Sequence, residues 1–224
     1  MRRVLVFDLD DTLYDELTYV NSGFRSVARF LAGEFGLDFT AANLFMQQKL
    51  AGGRGRIFDD TLAHFQLYSQ RNVRRCLAAY RLHEPTISLY SEADMCLERL
   101  RNLPLYIVTD GNKIVQRNKL KALGLQQRVR RCLITHRFGL RQAKPSPYCF
   151  LKICDTEKVE PQQVVYVADN PHKDFVGIKP LGFKTVRVLS GQYRDVMRTP
   201  EYEADIRIVS LADLDQAFLE TIFA

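Results

Sequence analysis

Three aspartates that could take part in catalysis or bind a metal follow a short apolar run near the start of the sequence. Residues 4–7 read Val-Leu-Val-Phe, and Asp8, Asp10 and Asp11 follow within four positions. Carboxylates this close repel one another, which raises their pKa values unless a cation or hydrogen-bond donors compensate. Mg²⁺, a hard ion that prefers oxygen ligands, is a suitable partner. Taken alone, the stretch is also typical of a polar loop in which aspartate caps the next helix, so the choice depends on the rest of the chain.

Two later segments carry groups that could hold an anion beside such a cation. Thr109, Asp110 and Gly111 end another apolar run, and a turn at that point could present backbone N–H groups to phosphate oxygens. Lys144 precedes Pro145, which disfavours helical geometry at the lysine and so stiffens the backbone that carries its charge. Each segment by itself is also typical of an ordinary turn or a surface lysine.

A second continuous apolar run ends in carboxylates as well. Residues 164–168 lead into Asp169, and Asp174 follows five positions later. If the two apolar runs are neighbouring strands, Asp169 could complete a metal site with Asp8. The alternative for this segment alone is again an aspartate that caps the next helix.

The elements that must position these groups alternate between short apolar runs and amphipathic helices. We predict strands over 4–7, 105–109, 132–135, 164–168, 184–188 and 206–208. Helices are predicted between most of them, including one from about Asp174 to Leu181 and a final helix capped by Ser210. This alternation predicts an α/β fold with a doubly wound, mainly parallel sheet. In such sheets, sites form beyond the carboxyl ends of the strands, where the aspartates would emerge.

One part of the chain departs from this alternation. From Glu16 to Leu82, apolar residues recur at spacings of three and four, which is typical of successive amphipathic helices. We therefore predict a helical insert over 16–85 and an α/β domain formed by 1–15 and 86–224.

Composition bears on the class of partner. The chain has 224 residues, 46% of them hydrophobic, and a formal net charge of +6. Arginines cluster at 71–75 and 128–131 without an aromatic platform beside them, which favours a solvated surface over a nucleic-acid site. A small anionic substrate fits the positive charge equally well. We expect no nucleic-acid partner.

The compartment is inferred from absent signals. The apolar runs are far shorter than the ~20 residues that a membrane helix needs, so no membrane partner is expected. The start of the chain lacks the pattern of an export signal. The five cysteines form no CxxC pair, which favours small core residues in a reducing cytoplasm over disulfides or a zinc site.

Together, and in this order, the four polar segments resemble the motifs of the haloacid dehalogenase (HAD) superfamily of hydrolases. The stretch FDLDDT is similar to a DxDxT first motif, VTDG to the second, the Lys144 loop to the third, and ADNPHKD to an acidic fourth motif of the GDxxxxD type. The resemblance covers essentially the whole chain. Ala168 stands where glycine is usual in the fourth motif, and Asp110 where many members have asparagine. The resemblance implies a Rossmann-like core with a mobile helical cap inserted after the first motif.

The resemblance also implies a role for each matching residue. Asp8 would be the nucleophile and Asp10 the general acid and base. Thr109 and Lys144 would bind the phosphoryl group, with Asp110 and Gly111 in the same turn. The expected Mg²⁺ ligands are Asp8, the backbone carbonyl of Asp10, and Asp169, with Asp174 as a supporting carboxylate near the metal.

We expect a cytoplasmic, Mg²⁺-dependent phosphomonoester hydrolase. It would act on a small phosphorylated metabolite, a sugar phosphate or a nucleotide, through an aspartyl-phosphate intermediate, as a monomer or weak homodimer. Arg54 and Arg56 flank the Gly52-Gly53 break in the insert and are candidate substrate contacts, although each is also typical of solvated surface.

Three other functions remain open at this point. A phosphomutase would use the same aspartyl-phosphate, and a non-catalytic binding module could keep the same fold. A nucleic-acid binder would explain the net charge. A dehalogenase is disfavoured, because Asp10 offers acid and base chemistry that a halide reaction does not require.

Overall fold

The structure is a computed structural model, and it describes residues 3–223. The chain divides into two compact units. One combines the chain up to Glu16 with the chain from Ser88 onward, and the other is Leu17–Ile87.

The larger unit is built on a six-stranded sheet in which every neighbouring pair of strands is parallel. The strands are β1 (Val4–Phe7), β2 (Leu105–Thr109), β3 (Arg131–Ile134), β4 (Val164–Ala168), β5 (Lys184–Val188) and β6 (Ile206–Ile208). Their spatial order is β3-β2-β1-β4-β5-β6. The chain therefore builds outward from β1 in both directions, and the crevice of such a sheet opens at that central strand.

The α-helices in chain order are α1 (Glu16–Phe35), α2 (Phe39–Leu50), α3 (Ile57–His64), α4 (Gln70–Leu82), α5 (Ser91–Arg99), α6 (Lys113–Ala122), α7 (Tyr148–Glu157) and α8 (Gln216–Phe223). From Leu17 to Leu82 the chain passes through α1 to α4 and no strand, as the periodicity predicted. Within the described residues, none of the helices combines the length and the apolar character that crossing a bilayer requires.

The central strands are apolar throughout because both faces of the sheet are covered. All four residues of β1 are fully buried, and so are all five of β4. In register, Phe7 pairs with Ile107 on one side and with Val167 on the other. The continuous apolar runs in the sequence thus reflect burial on two faces, which is typical of parallel sheets.

The helical unit has an apolar core of its own. Phe24, Val27 and Leu31 of α1 pack with residues of the next three helices, among them Met46 and Leu62. Burial of this apolar stripe, rather than helix propensity alone, stabilises helices of this length.

The predicted doubly wound parallel sheet is confirmed, and β3 begins and ends one residue earlier than expected. The helix expected over 174–181 is wrong: that segment forms turns, and then a short 3₁₀ helix at Lys179–Leu181. Pro180 lacks the N–H that an α-helix interior needs. Gly177 lies directly against the loop that carries Lys144, since a Cβ atom at Gly177 would lie 1.7 Å from the Pro145 carbonyl oxygen.

The end of the chain also differs from the prediction. Ser210 caps a 3₁₀ turn, Leu211–Asp213, in which its side chain accepts a hydrogen bond from the Ala212 amide. The final α-helix, α8, begins only at Gln216. The serine was therefore identified as a cap correctly, but for a different element.

Candidate active site

The carboxyl end of β1 places Asp8 in the crevice. Its amide donates to the Val167 carbonyl oxygen at 2.9 Å, so the carboxylate leaves the sheet from a fixed backbone. The Lys144 ammonium lies 2.7 Å from Asp8 Oδ1 and 2.7 Å from Asp174 Oδ1. It also donates to the Tyr166 hydroxyl oxygen at 2.9 Å. Lys144 thus joins the first and fourth polar segments in a buried ion-pair cluster.

Three carboxylates converge beside this lysine. Asp8, Asp169 and Asp174 each offer one oxygen, and these oxygens lie within 4.8 Å of one another. Thr12 Oγ1 donates to Asp169 Oδ1 at 3.3 Å, and the Asn170 amide donates to Asp174 Oδ2 at 3.1 Å. All three carboxylates are almost fully buried.

The electrostatics of this cluster favour a further cation. Burial raises the pKa of Asp8 to about 7, since it outweighs the opposing effect of Lys144. Burial, with the nearby charges of Asp174 and Asp8, raises the pKa of Asp169 well above its usual range. Three carboxylates share the charge of one bound ammonium, and every donor atom in the set is a hard oxygen. The residues present therefore fit a divalent ion such as Mg²⁺.

The carboxylate two residues further along the chain lies in a different environment. Asp10 Oδ1 accepts hydrogen bonds from Lys119 Nζ at 2.7 Å and from the Tyr14 hydroxyl at 2.5 Å. Asp10 Oδ2 accepts from Gln116 Nε2 at 2.8 Å. Burial acts to raise the pKa of Asp10, but the Lys119 ammonium and these hydrogen bonds outweigh it, and the pKa is lowered.

Asp110 has its side chain turned toward the protein framework. Its Oδ1 accepts from Thr135 Oγ1 at 2.6 Å and from the Lys144 amide at 3.1 Å. Its Oδ2 accepts from Lys173 Nζ at 3.1 Å. These contacts tie the end of β2 to the Lys144 loop, and Asp110 also lines the small cavity at this edge of the sheet. Burial would raise the pKa of Asp110, but the charges of Lys144 and Lys173 lower it.

The turn after β2 lies beside these groups. The Thr109 hydroxyl is buried, and Gly111 adopts a positive φ of 129° that side chains rarely accept. A cavity of about 310 Å³ opens here. Its lining includes Asp8, Asp10, Gly111, Asp169, Lys173 and Tyr193. The aspartates of β1 and β4 and the β2 turn thus face one small space.

Asp11 does not join the carboxylate cluster. It adopts a positive φ of 55° and accepts the Glu16 amide at the start of α1, at 2.9 Å. The hydroxyl of Ser190 donates to its backbone carbonyl. This third aspartate therefore shapes the chain path out of the sheet, which is the role expected of a loop or cap residue.

The two arginines singled out in the insert belong to the helical unit. Arg54 lines a largely apolar cavity of about 320 Å³ within that unit, together with Phe24, Phe58 and Tyr80. Arg56 is exposed and immediately precedes α3. Their role in substrate binding stays a prediction.

Sequence reasoning missed Gln116 and Lys119 as partners of Asp10. The signal was present, since both are polar, lie three residues apart in a predicted helix, and so share one helix face. Nothing in the sequence showed that this face points to the site. Lys173 was quoted within the fourth motif, but its contact with Asp110 was not foreseen.

Comparisons with known proteins agree with this geometry. The chain matches the family described as haloacid dehalogenase-like hydrolase over residues 2–182. It is 31% identical to a glyceraldehyde 3-phosphate phosphatase of Methanocaldococcus jannaschii, covering 96% of each chain. It is 31% identical to a phosphoserine phosphatase of Thermus thermophilus, covering 74% of this chain and 64% of the relative.

A solved structure shows the same likeness in three dimensions. The crystal structure of a HAD phosphatase from Thermococcus onnurineus matches with a TM-score of 0.61 and 28% identity, covering 98% of each chain.

Proposed function

This chain belongs to the haloacid dehalogenase-like hydrolases, and we propose that it is a Mg²⁺-dependent phosphatase with Asp8 as its nucleophile. The observation that carries the proposal is the convergence of Asp8, Asp169 and Asp174 in one cluster, in which the Lys144 ammonium contacts Asp8 and Asp174. Asp10 is held separately by its own donors. Mg²⁺ bound beside Asp8 would favour the ionised carboxylate that a nucleophile requires.

The first half-reaction transfers the phosphoryl group to the protein. An Asp8 carboxylate oxygen forms a bond to phosphorus as the bond from phosphorus to the substrate oxygen breaks, which leaves an aspartyl-phosphate. Asp10 gives its proton to the departing oxygen, and an alcohol leaves. Asp10 must therefore be protonated at this point, although its resting pKa is lowered. A bound phosphoryl group helps, because a like charge nearby disfavours the carboxylate.

The second half-reaction returns the protein to its starting state. A water oxygen attacks phosphorus and gives its proton to the Asp10 carboxylate, and the bond from phosphorus to Asp8 breaks to release inorganic phosphate. Splitting hydrolysis in this way lets one acid-base group serve both steps.

Positive charge and hydrogen-bond donors stabilise the phosphoryl oxygens. Lys144, the Thr109 hydroxyl and the backbone N–H groups of the turn at Gly111 are placed to supply them. The Asp8 carboxylate, the Asp169 carboxylate and the backbone carbonyl of Asp10, supported by Asp174, would hold Mg²⁺, and the ion would neutralise charge on the transferred group. Asp110 contributes by holding the Lys144 backbone and Lys173.

The substrate proposed is a small phosphate monoester. The M. jannaschii relative is named for glyceraldehyde 3-phosphate, a sugar phosphate, which supports the sugar phosphate class over the nucleotide class. The helical unit, Leu17–Ile87, would act as the cap that selects among leaving groups, with Arg54 and Arg56 as candidate contacts. A phosphomutase remains the second candidate, because it would use the same aspartyl-phosphate.

The test is a phosphate-release assay over a panel of sugar phosphates, phosphoamino acids and nucleotides, with Mg²⁺ and with a chelator. Mg²⁺-dependent release from at least one sugar phosphate is expected from the wild type and none from Asp8→Asn. Asp155→Asn, a change at an exposed carboxylate of α7, is the matched control. Phosphoryl transfer to a second substrate position without phosphate release would instead identify a mutase. Turnover that persists in Asp8→Asn would overturn the proposal.

A further inference from the structure

Helix α6 buries two polar side chains that the proposed reaction has not yet used. Gln116 and Lys119 are each 2% exposed. A buried amide or ammonium is costly unless it is hydrogen-bonded, so their partners explain their positions. The two residues are three apart in the helix and therefore lie on one face, one above the other.

Both side chains reach the same carboxylate. Lys119 Nζ lies 2.7 Å from Asp10 Oδ1, and Gln116 Nε2 lies 2.8 Å from Asp10 Oδ2. The Tyr14 hydroxyl also donates to Oδ1. Because each carboxylate oxygen has a donor, the plane of the Asp10 carboxyl group is fixed. Lys119 has a second, longer contact at 3.5 Å, to Glu16 Oε1, so its ammonium also links Asp10 to the start of α1.

Gln116 connects Asp10 to the phosphate-binding turn. The same Nε2 atom lies 2.6 Å from Thr109 Oγ1, and an amide NH₂ has two hydrogens with which to serve two acceptors. Gly111 makes room for this side chain, since a Cβ atom there would lie 3.3 Å from two Gln116 carbons. One amide thus sets the spacing between the carboxyl group and the hydroxyl that flank the proposed phosphoryl site.

We propose that Gln116 and Lys119 are positioning residues that hold the Asp10 carboxyl group in the orientation from which it protonates the leaving oxygen. The inference rests on the proposed function and adds to it the two side chains that orient Asp10. Neither residue touches the substrate in this scheme. Their effect on protonation of the leaving group passes through Asp10, whereas the contact of Gln116 with Thr109 Oγ1 would affect all phosphate esters alike.

The dependence of kcat/KM on the leaving group distinguishes a role in orienting Asp10 from a purely structural role, which would lower kcat/KM equally for all leaving groups. An alkoxide leaves poorly unless it is protonated, whereas p-nitrophenolate leaves readily without a proton. If the Asp10 carboxyl group is no longer oriented toward the leaving oxygen, kcat/KM therefore falls far more for alkyl phosphates than for p-nitrophenyl phosphate. The quantity to compare is kcat/KM, which reports on the steps up to release of the alcohol and not on later hydrolysis of the aspartyl-phosphate.

The experiment measures kcat/KM of the full chain with Mg²⁺ for glycerol phosphate and for p-nitrophenyl phosphate. Lys119→Met and Gln116→Met are expected to lose about 30-fold to 100-fold in kcat/KM on glycerol phosphate, which is at or below the lower end of the roughly 10²–10⁴-fold that general acid catalysis contributes, because the Asp10 carboxyl group itself is still present. On p-nitrophenyl phosphate the loss is expected to stay below about threefold. Lys119→Arg should recover part of the activity on glycerol phosphate. Lys121→Met, an exposed change on the same helix, is the matched control.

A double-mutant cycle with Asp10→Ala completes the test. If both residues act through Asp10, Lys119→Met and Gln116→Met cause no further loss in the Asp10→Ala background. Equal losses on the two esters, or full additivity with Asp10→Ala, would overturn the inference while the proposed phosphatase stands. A wild type that hydrolyses neither these two esters nor any member of the panel of sugar phosphates, phosphoamino acids and nucleotides would overturn the proposed function itself, and this inference with it.

Discussion

Asp8 and Asp10 are two residues apart in the chain, and their surroundings act on them in opposite directions. Asp8 shares the Lys144 ammonium with other carboxylates, and burial raises its pKa to about 7. Burial acts on Asp10 as well, but Lys119 lies 2.7 Å from it, and hydrogen bonds from Tyr14 and Gln116 add to this, so the pKa is lowered.

The difference shows that charge balance, rather than burial, separates the two halves of the site. The Asp8 half is short of positive charge and would be completed by a divalent cation. The Asp10 half is already balanced by protein groups and needs no ion. One strand end can therefore serve two kinds of chemistry, because the Lys144 ammonium lies among three buried carboxylates, whereas the Lys119 ammonium lies against Asp10 with only a longer contact to Glu16.

Removing the nucleophile is the largest test of this comparison. Asp8→Asn is expected to lower kcat by at least about 10⁴-fold while circular dichroism and the unfolding midpoint stay close to those of the wild type. The amide is isosteric and cannot form the aspartyl-phosphate. Retained turnover would mean that the two carboxylates do not divide the roles as their surroundings indicate.

Removing the shared ammonium tests the charge-poor half. Lys144→Met leaves the buried carboxylates of Asp8 and Asp174 without their ion-pair partner and is expected to cost about 3–5 kcal/mol in the free energy of unfolding at pH 8 without Mg²⁺. The folded state then binds more protons than the unfolded state, so stability should rise as the pH is lowered from 8 to 5.5. Chemical denaturation at both pH values measures this, with Lys121→Met as the control. Unchanged stability at pH 8 would contradict it.

Adding Mg²⁺ tests the Asp8 half of the site by supplying positive charge instead of removing it. Mg²⁺ at about 100 times its Kd should add about 2.7 kcal/mol to the free energy of unfolding. Because the pKa values of Asp8 and Asp169 are raised in the metal-free protein, binding near pH 6.5 should release protons, and the number should fall as the pH rises. Calorimetry in buffers of different ionisation enthalpy counts them. Proton uptake would be the contrary result.

The smallest effect is expected in the balanced half. Tyr14→Phe removes one hydrogen bond to Asp10 Oδ1 and should lower kcat/KM about fivefold, which corresponds to about 1 kcal/mol. Since that hydrogen bond lowers the pKa of Asp10, which must be protonated to act as the acid, its loss should move the alkaline limb of the kcat/KM profile with Mg²⁺ to higher pH. Tyr148→Phe, at a partly exposed position of α7, is the control. A shift to lower pH would show that Tyr14 does not act on Asp10 as described.

The strands were predictable because a parallel sheet covered on both faces leaves unbroken apolar runs, as in β1 and β4. The meeting of Asp8 with Asp169 was predictable for the same reason, since polar residues at the ends of neighbouring parallel strands share one edge. The segment 174–181 was predicted wrongly as a helix, because Pro180 lacks the N–H that a helix interior needs and because the close approach of Gly177 to the Pro145 carbonyl is a tertiary contact that periodicity does not show. The contacts of Gln116 and Lys119 with Asp10 could not be predicted, because their spacing shows that they share one face of α6 but not which part of the protein that face packs against.

Gly177 has a consequence for how this site tolerates change. Its α-carbon lies so close to the Pro145 carbonyl that even a methyl group would have to push the neighbouring loop outward. That loop carries Lys144, whose ammonium sits within 2.7 Å of two acidic oxygens. The position of the Lys144 ammonium thus depends on the absence of a side chain at residue 177, in a turn that takes no part in the reaction. Gly177→Ala would therefore displace Lys144 although it changes no group that reacts.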